Sequence, residues 1–242
     1  IDIAAQVPHC AVRTYVMGDR GTKNEIATPD DVAQMTSIVK EGISAGALGF
    51  TTSRTKLHTT REDEAMPGTY ADERELLGIA QSIGELGKGI YGVVSDWDNW
   101  REEMDLLKRL SIDNNCQVNF VLFFRSEDEW PRVQDQLAYV RQANSEGAKL
   151  IPHVGARPVN LLLSWESTIH PFSFHQNYAA LSMLEPQERL VQLNDPAVRA
   201  SLINEDTPVL GDAFMDTIIS GYDKLYELGT PPNYEPSAED SV

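Results

Sequence analysis

The sequence predicts an α/β fold: part of a (β/α)8 barrel of the TIM type, with about five βα units and a long C-terminal insertion. Between about residue 28 and residue 155, short apolar strands alternate with segments of helical periodicity. This alternation is typical of a parallel sheet whose faces are covered by helices. After Gly155 the alternation stops. We therefore expect residues 1–155 to form central βα units of the barrel, and residues 156–242 to form an insertion or lid with short helices and a Pro-rich tail.

The predicted strands are short apolar runs, and most of them end in polar residues. They are Leu48–Ser53, Gly89–Ser95, Cys116–Phe123 and Leu150–Gly155, with Ile3–Val7 as a candidate fifth strand. Helices are expected between them and in the insertion, at Thr28–Ala45, Asp72–Leu86, Trp97–Asn114, Ser126–Glu146, Pro186–Leu193, Pro196–Asn204 and Ala213–Leu228. Five units are fewer than the eight that a closed barrel needs.

The charge of the chain excludes one class of function. Its 37 acidic and 20 basic residues give a net charge of −17. Nucleic-acid binding requires a basic surface for the phosphates, so no nucleic-acid partner is expected. We interpret the charge as a solubilising surface, with attraction of a cationic substrate as the alternative.

The sequence gives no sign of a membrane or secreted protein. No apolar run approaches the ~20 residues of a membrane span, and the N-terminus does not resemble a signal peptide. Cys10 and Cys116 lie far apart, without a secreted disulfide pattern. We expect a cytoplasmic protein, and because the chain starts at Ile1 rather than Met, a processed or truncated product.

Candidate functional residues lie where the strands end, because the carboxyl ends of parallel strands carry the chemistry in α/β folds. They are His9, Thr51, Ser53, Arg54, Ser95, Asp96, Asn119, His153 and Arg157. Arg54 and Arg157 could each bind a substrate carboxylate through two hydrogen bonds, with a buried salt bridge as the alternative. Asp96 could be a metal ligand or a helix N-cap.

The segment Arg157–His175 is too aromatic for a plain linker, and we expect a lid or a dimer contact. His170 and His175 are five residues apart, a weak metal signal, and packing within an aromatic lid is the favoured interpretation. The sequence contains no H-x-H, H-E-x-x-H, C-x-x-C or G-x-S-x-G motif.

Several collinear motifs resemble a known family. VPHCAVR (residues 7–13), shortly before Met17-Gly18, is similar to a GH-x-x-x-R … MG stretch, GALGFTT (46–52) to a GALGFST strand, and PGTYAD (67–72) to a PG-x-Y/F-AD turn. The family is the N-acyl-D-amino-acid deacylases (D-aminoacylases) of the amidohydrolase superfamily. Residues 157–175, 195–199 and 232–236 resemble one D-aminoacylase-like subgroup.

The resemblance implies a distorted (β/α)8 barrel that carries zinc at its C-terminal face. It also implies hydrolysis of a small N-acylated or cyclic-amide substrate, with a metal-bound water as the nucleophile and an aspartate as its base. The chain would span barrel strands three to seven. The H-x-H of strand one and the cysteine ligand of strand two would precede Ile1, and the base would follow Val242.

The chain departs from the family inside the barrel. Strands five and six usually end in histidine ligands, whereas the chain has YGVVSD (91–96) and QVNFVL (117–122) there. Neither Cys10 nor Cys116 falls at the position of the family's cysteine ligand. Asp96 could replace one histidine, since zinc accepts oxygen ligands.

Two hypotheses follow. The chain could be a fragment of a metal-dependent amidohydrolase, with His9, Arg54, His153 and Arg157 binding substrate and Asp96 at the metal. It could instead be a divergent barrel without hydrolase chemistry that serves as a binding or interaction protein. Five strands alone leave two unpaired sheet edges, so we expect the chain to be inactive by itself. Remaining barrel segments or another copy of the chain would complete it.

Overall fold

The computed structural model describes residues 2–62, 64–124, 129–156, 160–167, 169–211 and 213–242. The chain divides into two compact units, Ile1–Arg157 and Pro158–Val242. The sequence placed this boundary between residues 155 and 156.

The first unit contains a parallel sheet, as predicted. Within the described residues it has five strands in the order β1-β2-β3-β4-β5 and is not closed. The strands are β1 (Val7–Pro8), β2 (Gly49–Arg54), β3 (Ile90–Ser95), β4 (Gln117–Val121) and β5 (Leu150–His153). The helices are α1 (His9–Met17), α2 (Asp19–Thr22), α3 (Pro29–Ser44), α4 (Glu73–Leu86), α5 (Trp100–Asn114) and α6 (Trp130–Ser145).

Local sequence signals fix where α3 and α4 begin and end. Thr28 caps α3 in a capping box, in which Asp31 N donates to Thr28 Oγ1 at 3.2 Å and Thr28 N donates to Asp31 Oδ2 at 2.8 Å. The Asp72 side chain accepts from Glu75 N at 3.1 Å and caps α4. That helix ends at Gly87, whose φ of 62° is left-handed.

The two faces of the sheet differ in burial because side chains alternate along each strand. One row of register partners, Phe50, Tyr91, Val118 and Leu150, is buried in the core with residues of α3, α4 and α5. The next row, Thr51, Gly92, Asn119 and Ile151, faces the other side. We call this second side the inner face of the sheet. On it, Val121 and Ile151 are each 40% exposed.

The structure differs from the sequence prediction at two places in the first unit. His9 begins α1, a helix that the sequence analysis did not predict, and the strand expected at Ile3–Val7 is only Val7–Pro8. The segment before it contributes a single hydrogen bond, from Leu48 N to Ala5 O at 2.8 Å. Helix α5 starts at Trp100 rather than Trp97, because Trp97 has a φ of 63°, outside the right-handed helical region.

The second unit is helical. It contains α7 (Gln176–Ser182), α8 (Pro186–Leu193), α9 (Pro196–Ile203) and α10 (Ala213–Ser220), followed by 3₁₀ turns at Tyr222–Lys224 and Ala238–Asp240. Tyr178, Leu181, Leu193 and Leu202 form its small core. Helix α10 stops eight residues short of the predicted Leu228, with Gly221 following it. Across the described part of the chain, none of the helices combines the length and hydrophobicity of a membrane span.

Candidate active site

A cavity of about 510 Å³ lies at the carboxyl ends of β1 and β2. This is the edge at which parallel α/β folds place their functional groups. The cavity is lined by Pro8, His9, Cys10, Thr51, Thr52, Ser53, Leu57, His58, Thr59, Met66, Pro67 and Val94. We call it the strand-end cavity. Its surface combines hydroxyl groups, two imidazoles and apolar side chains.

His9 is one of the residues that line the strand-end cavity, and its imidazole belongs to a buried polar network. Its Nδ1 lies 2.8 Å from Thr52 Oγ1, and its Nε2 lies 2.6 Å from Glu75 Oε1. The other carboxylate oxygen of Glu75 accepts from the Arg13 guanidinium, which also donates to the backbone carbonyl of Glu25. His9, Glu75 and Arg13 are each at most 2% exposed.

The Glu75 carboxylate is ionised in this network. Burial by itself would raise the pKa of Glu75, but the hydrogen bonds and charges of His9 and Arg13 outweigh burial and lower it. The negative charge of Glu75 is therefore neutralised within the protein. Because both nitrogens of His9 have partners, the imidazole is held in one orientation behind the cavity wall.

The loop that closes one side of the strand-end cavity is fastened to the chain after α2. The Asn24 side chain donates to the carbonyls of Ala65 (3.1 Å) and Met66 (3.3 Å) and accepts from Gly68 N at 2.8 Å. Gly68 packs against the His9 ring so closely that a Cβ atom would lie 2.7 Å from Nδ1, and its φ is +98°. Only glycine fits this contact without rearrangement.

Ser53 and His58 form a second polar pair on the wall of the strand-end cavity. Ser53 is the penultimate residue of β2, with its side chain on the inner face of the sheet, and its Oγ lies 2.7 Å from His58 Nδ1. Ser53 is half-buried and His58 is exposed. The sequence analysis listed Ser53 among the strand ends but gave no role to His58.

Arg54, predicted to bind a substrate carboxylate, takes the alternative that the sequence left open. Its guanidinium forms a bidentate salt bridge with Glu103, with Nε 3.0 Å from Oε2 and Nη2 2.7 Å from Oε1. Its Nη1 donates to Ala71 O at 3.2 Å. These contacts join β2, α5 and the start of α4, and Arg54 is not among the residues that line the strand-end cavity.

Asp96, predicted as a metal ligand or a helix N-cap, has another function in the structure. Its carboxylate accepts hydrogen bonds from Thr55 Oγ1 and, at 2.8 Å, from Lys56 N, while α5 is preceded by Asn99. No group of three or more His, Cys, Asp or Glu residues that could hold a metal occurs in the part of the chain that the structure describes. The described residues therefore do not fit the zinc site that the family resemblance implies.

Of the two remaining predicted substrate-binding residues, His153 and Arg157, the structure describes only His153. His153 ends β5 on the inner face of the sheet, with Nε2 3.0 Å from Asn119 Nδ2, and does not line the cavity. Arg157 lies outside the described residues. The substrate-binding role predicted for these two residues stays a prediction.

His170 and His175 are buried in the aromatic core of the second unit. Trp165 stacks on Phe172 and Tyr178, and His170 meets the edges of Trp165 and Tyr178. A cavity of about 360 Å³ lies beside this cluster. Arg189 lines this cavity, and its guanidinium donates hydrogen bonds to four backbone carbonyls, those of Trp165, Leu181, Ser182 and Leu184. Arg189 therefore links the backbone segments around the cavity.

Sequence reasoning missed two residues of the candidate site. Glu75 lies in the first turn of α4, where acidic residues are common at exposed positions because of the helix dipole, so nothing marked it as buried. His58 lies in a polar loop without a regular pattern. A spacing of five residues from Ser53, across the end of a strand, was the available signal.

The open parallel sheet and the polar cavity at its strand ends are consistent with part of an α/β barrel, a fold whose functional groups lie at the carboxyl ends of its strands. The sequence model of the amidohydrolase family matches residues 1–218 of the chain. The chain therefore belongs to the amidohydrolase family. The family resemblance found in the sequence is confirmed at this level.

Comparison with solved structures finds D-aminoacylases. One structure, described with a binuclear metal centre, has a TM-score of 0.49 and 17% identity, and another, described as defining a novel subset of amidohydrolases, has 0.48 and 16%. A D-aminoacylase mutant in complex with copper chloride also matches, with a TM-score of 0.49. Each match covers 60% of this chain and 28% of the solved chain. No curated protein matches the chain.

Proposed function

We propose that the chain supplies the substrate-binding wall of a hydrolase that cleaves carbon–nitrogen bonds other than peptide bonds. The substrates would be small N-acylated amino acids of the D-aminoacylase kind, or cyclic amides. The observation that supports this proposal is the strand-end cavity, because it lies at the active edge of a parallel sheet in a member of the amidohydrolase family.

The lining of the strand-end cavity suits an acyl amide. Thr51, Ser53 and Thr59 offer hydroxyl groups that can hydrogen-bond to an amide, while Leu57 and Met66 offer apolar surface for an acyl chain. A volume of about 510 Å³ is within the range of small-molecule sites. Arg54 is bound to Glu103, so we assign recognition of the amide part to these hydroxyl groups and not to Arg54.

We propose further that the chain acts as one part of a larger barrel. In the described residues β1 and β5 each have one neighbouring strand, and Val121 and Ile151 on the inner face are 40% exposed. Unpaired edges and exposed apolar groups are features that native barrels cover. Remaining barrel segments, or a second copy of the chain, would cover this face, and the 242-residue chain alone would be inactive.

The described residues of this chain differ from the metal-bound D-aminoacylases in their metal ligands. The solved D-aminoacylases include one described with a binuclear metal centre and one in complex with copper chloride. The residues that this structure describes offer no comparable set of ligands. We therefore assign no step of the reaction to a metal held by this chain, and propose that any zinc ligands lie on the segments that complete the barrel.

The lack of a metal-ligand group among the described residues favours a second candidate function. A barrel without a metal site could retain the strand-end cavity as a binding site and lack hydrolase chemistry. In that case the protein would bind N-acylated ligands without converting them. The two candidates differ in metal content and in turnover.

The test is hydrolysis by the full-length protein, compared with the 242-residue chain alone. Both are incubated with zinc and with N-acetyl-D-amino acids, their L-enantiomers and a hydantoin, and the products are quantified by chromatography. We expect the full-length protein to release free amino acid or open the ring, and to contain stoichiometric zinc by elemental analysis. The chain alone should show neither activity nor bound zinc.

One control variant and one contradicting outcome make the result decisive. Asp96→Ala should leave the zinc content unchanged, because the Asp96 carboxylate is occupied by Thr55 and Lys56. Binding of an N-acetylamino acid without turnover, in a full-length protein that contains no metal, would refute the hydrolase and support the non-hydrolytic barrel.

A further inference from the structure

Ser53 and His58 have the geometry of a nucleophile and its base. A serine hydroxyl is a weak nucleophile unless a neighbouring base accepts its proton, and such pairs stand about 2.6–3.2 Å apart. The Ser53 Oγ to His58 Nδ1 distance is 2.7 Å, and both side chains line the strand-end cavity. A reacting group inside the cavity would therefore have direct access to the Ser53 hydroxyl.

Ser53 is held by the sheet. It pairs with Val94 of β3 in the parallel register, and as the fifth residue of β2 it precedes Arg54, whose side chain is fixed by Glu103. A nucleophile on a strand is positioned more precisely than one on a free loop.

His58 is held from both sides by the backbone around it. On one side, Asp96 accepts hydrogen bonds from Thr55 Oγ1 and Lys56 N. On the other side, Met66 N donates to His58 O at 3.2 Å and Thr59 bridges Ala65 in an antiparallel pair. These contacts hold the backbone of His58 beside Ser53, and the imidazole ring is exposed to solvent.

We propose that Ser53 and His58 form an acyl-transfer site that accepts small acyl esters in the strand-end cavity, by a chemistry distinct from the metal-dependent amide hydrolysis proposed above. The step uses only the serine hydroxyl, the imidazole and water. Asp96 is a positioning residue for this pair, since it acts through the Thr55 hydroxyl and the backbone N–H of Lys56.

The chemical step is balanced by the two side chains and water. Ser53 Oγ attacks the ester carbonyl carbon while its proton passes to His58 Nδ1. The bond between the carbonyl carbon and the leaving oxygen breaks, and His58 returns the proton to that oxygen, which leaves as an alcohol. Water, deprotonated by His58, then attacks the carbonyl carbon of the acyl-Ser53 ester. The bond between that carbon and Ser53 Oγ breaks, His58 returns the proton to Oγ, and a carboxylic acid is released.

The test is labelling of the full-length protein with a fluorophosphonate, which forms a bond from phosphorus to an activated serine oxygen with loss of fluoride. The protein is treated with a chelator beforehand, so that failure of the metal-dependent function cannot affect the result. We expect one adduct by intact mass, located on Ser53 by peptide mapping. The reaction rate should fall about 100-fold or more in His58→Gln, the range typical of a lost general base.

Matched variants distinguish activation of the Ser53 hydroxyl by His58 from loss of folding and from non-specific labelling of exposed serines. Ser145→Ala removes an exposed hydroxyl whose partner is Gln142 O and should leave labelling unchanged. Ser53→Ala should abolish the adduct. His58 is exposed, so His58→Gln should remain folded by circular dichroism. The absence of an adduct on wild-type Ser53, or an unchanged rate in His58→Gln, would overturn the proposal.

Discussion

Replacing Glu75 with alanine is expected to destabilise the first unit by about 3–5 kcal/mol, the usual cost of breaking a buried ion pair. The substitution leaves the Arg13 guanidinium, 1% exposed, without its carboxylate, and it removes the partner of His9 Nε2. An uncompensated charge in the protein interior is the main cause of the loss. Urea unfolding, followed by circular dichroism, should show the midpoint moving to a clearly lower concentration.

The neighbouring residue Glu73 provides the control. It lies in the same helical turn of α4 and pairs with Arg109, but its side chain is 58% exposed. An exposed ion pair contributes at most about 1 kcal/mol, so Glu73→Ala should change the midpoint little. Equal effects of the two substitutions would show that the network of Glu75, His9 and Arg13 does not stabilise the fold.

Replacing Gly84 with alanine should destabilise the protein even though alanine is the better helix former. Alanine in a helix interior gains about 1 kcal/mol over glycine. At Gly84, however, the added Cβ would lie 1.8 Å from the backbone oxygen of Asn114 at the end of α5. Because the contact is with backbone, α4 and α5 must separate, and we expect a net loss of about 2 kcal/mol or more in the free energy of unfolding.

Gln81→Ala is the matched control for this substitution. Gln81 is exposed on the same helix, and its side chain contacts only Glu85 among the hydrogen bonds found. Its replacement should change stability by no more than about 0.5 kcal/mol in urea unfolding. A Gly84→Ala variant as stable as the wild type would contradict the close approach of α4 to α5.

Most of the parallel sheet could be predicted because its signals are local. Thr28 with Pro29, and Asp72 with the later Gly87, mark helix ends through hydrogen bonds that form within a few residues. The apolar runs of β2, β3, β4 and β5 reflect burial against the helices on one face. The structure therefore confirms these strands to within a few residues.

The features that the sequence did not predict depend on contacts between residues far apart in the chain. The ring of His9 is fixed by Thr52 and Glu75, residues 43 and 66 positions away, and the local sequence does not show this. The local sequence leaves Arg54 open between binding a substrate carboxylate and forming a salt bridge, since its partner Glu103 lies 49 residues later. Buried ion pairs between distant residues leave no periodic pattern.

The sequence pointed to the carboxyl ends of the strands, and the strand-end cavity contains some of the residues found there. The rule that strand ends carry the chemistry identified His9 and Ser53, which do line the strand-end cavity. The same rule included His153, which ends β5 away from the cavity. The expected metal ligand Asp96 instead fastens the segment that carries His58.

The most direct measurement compares substrate turnover by the full-length protein after two bulky substitutions on the inner face of the sheet. Thr51 lines the strand-end cavity, whereas Gln117 lies on the same face outside it. If the cavity binds the N-acyl substrate, Thr51→Phe should lower kcat/KM at least about 10-fold, the cost of losing about 1.4 kcal/mol of transition-state binding, and Gln117→Phe should leave it nearly unchanged. Equal kcat/KM values for Thr51→Phe and the wild type would show that the substrate binds elsewhere.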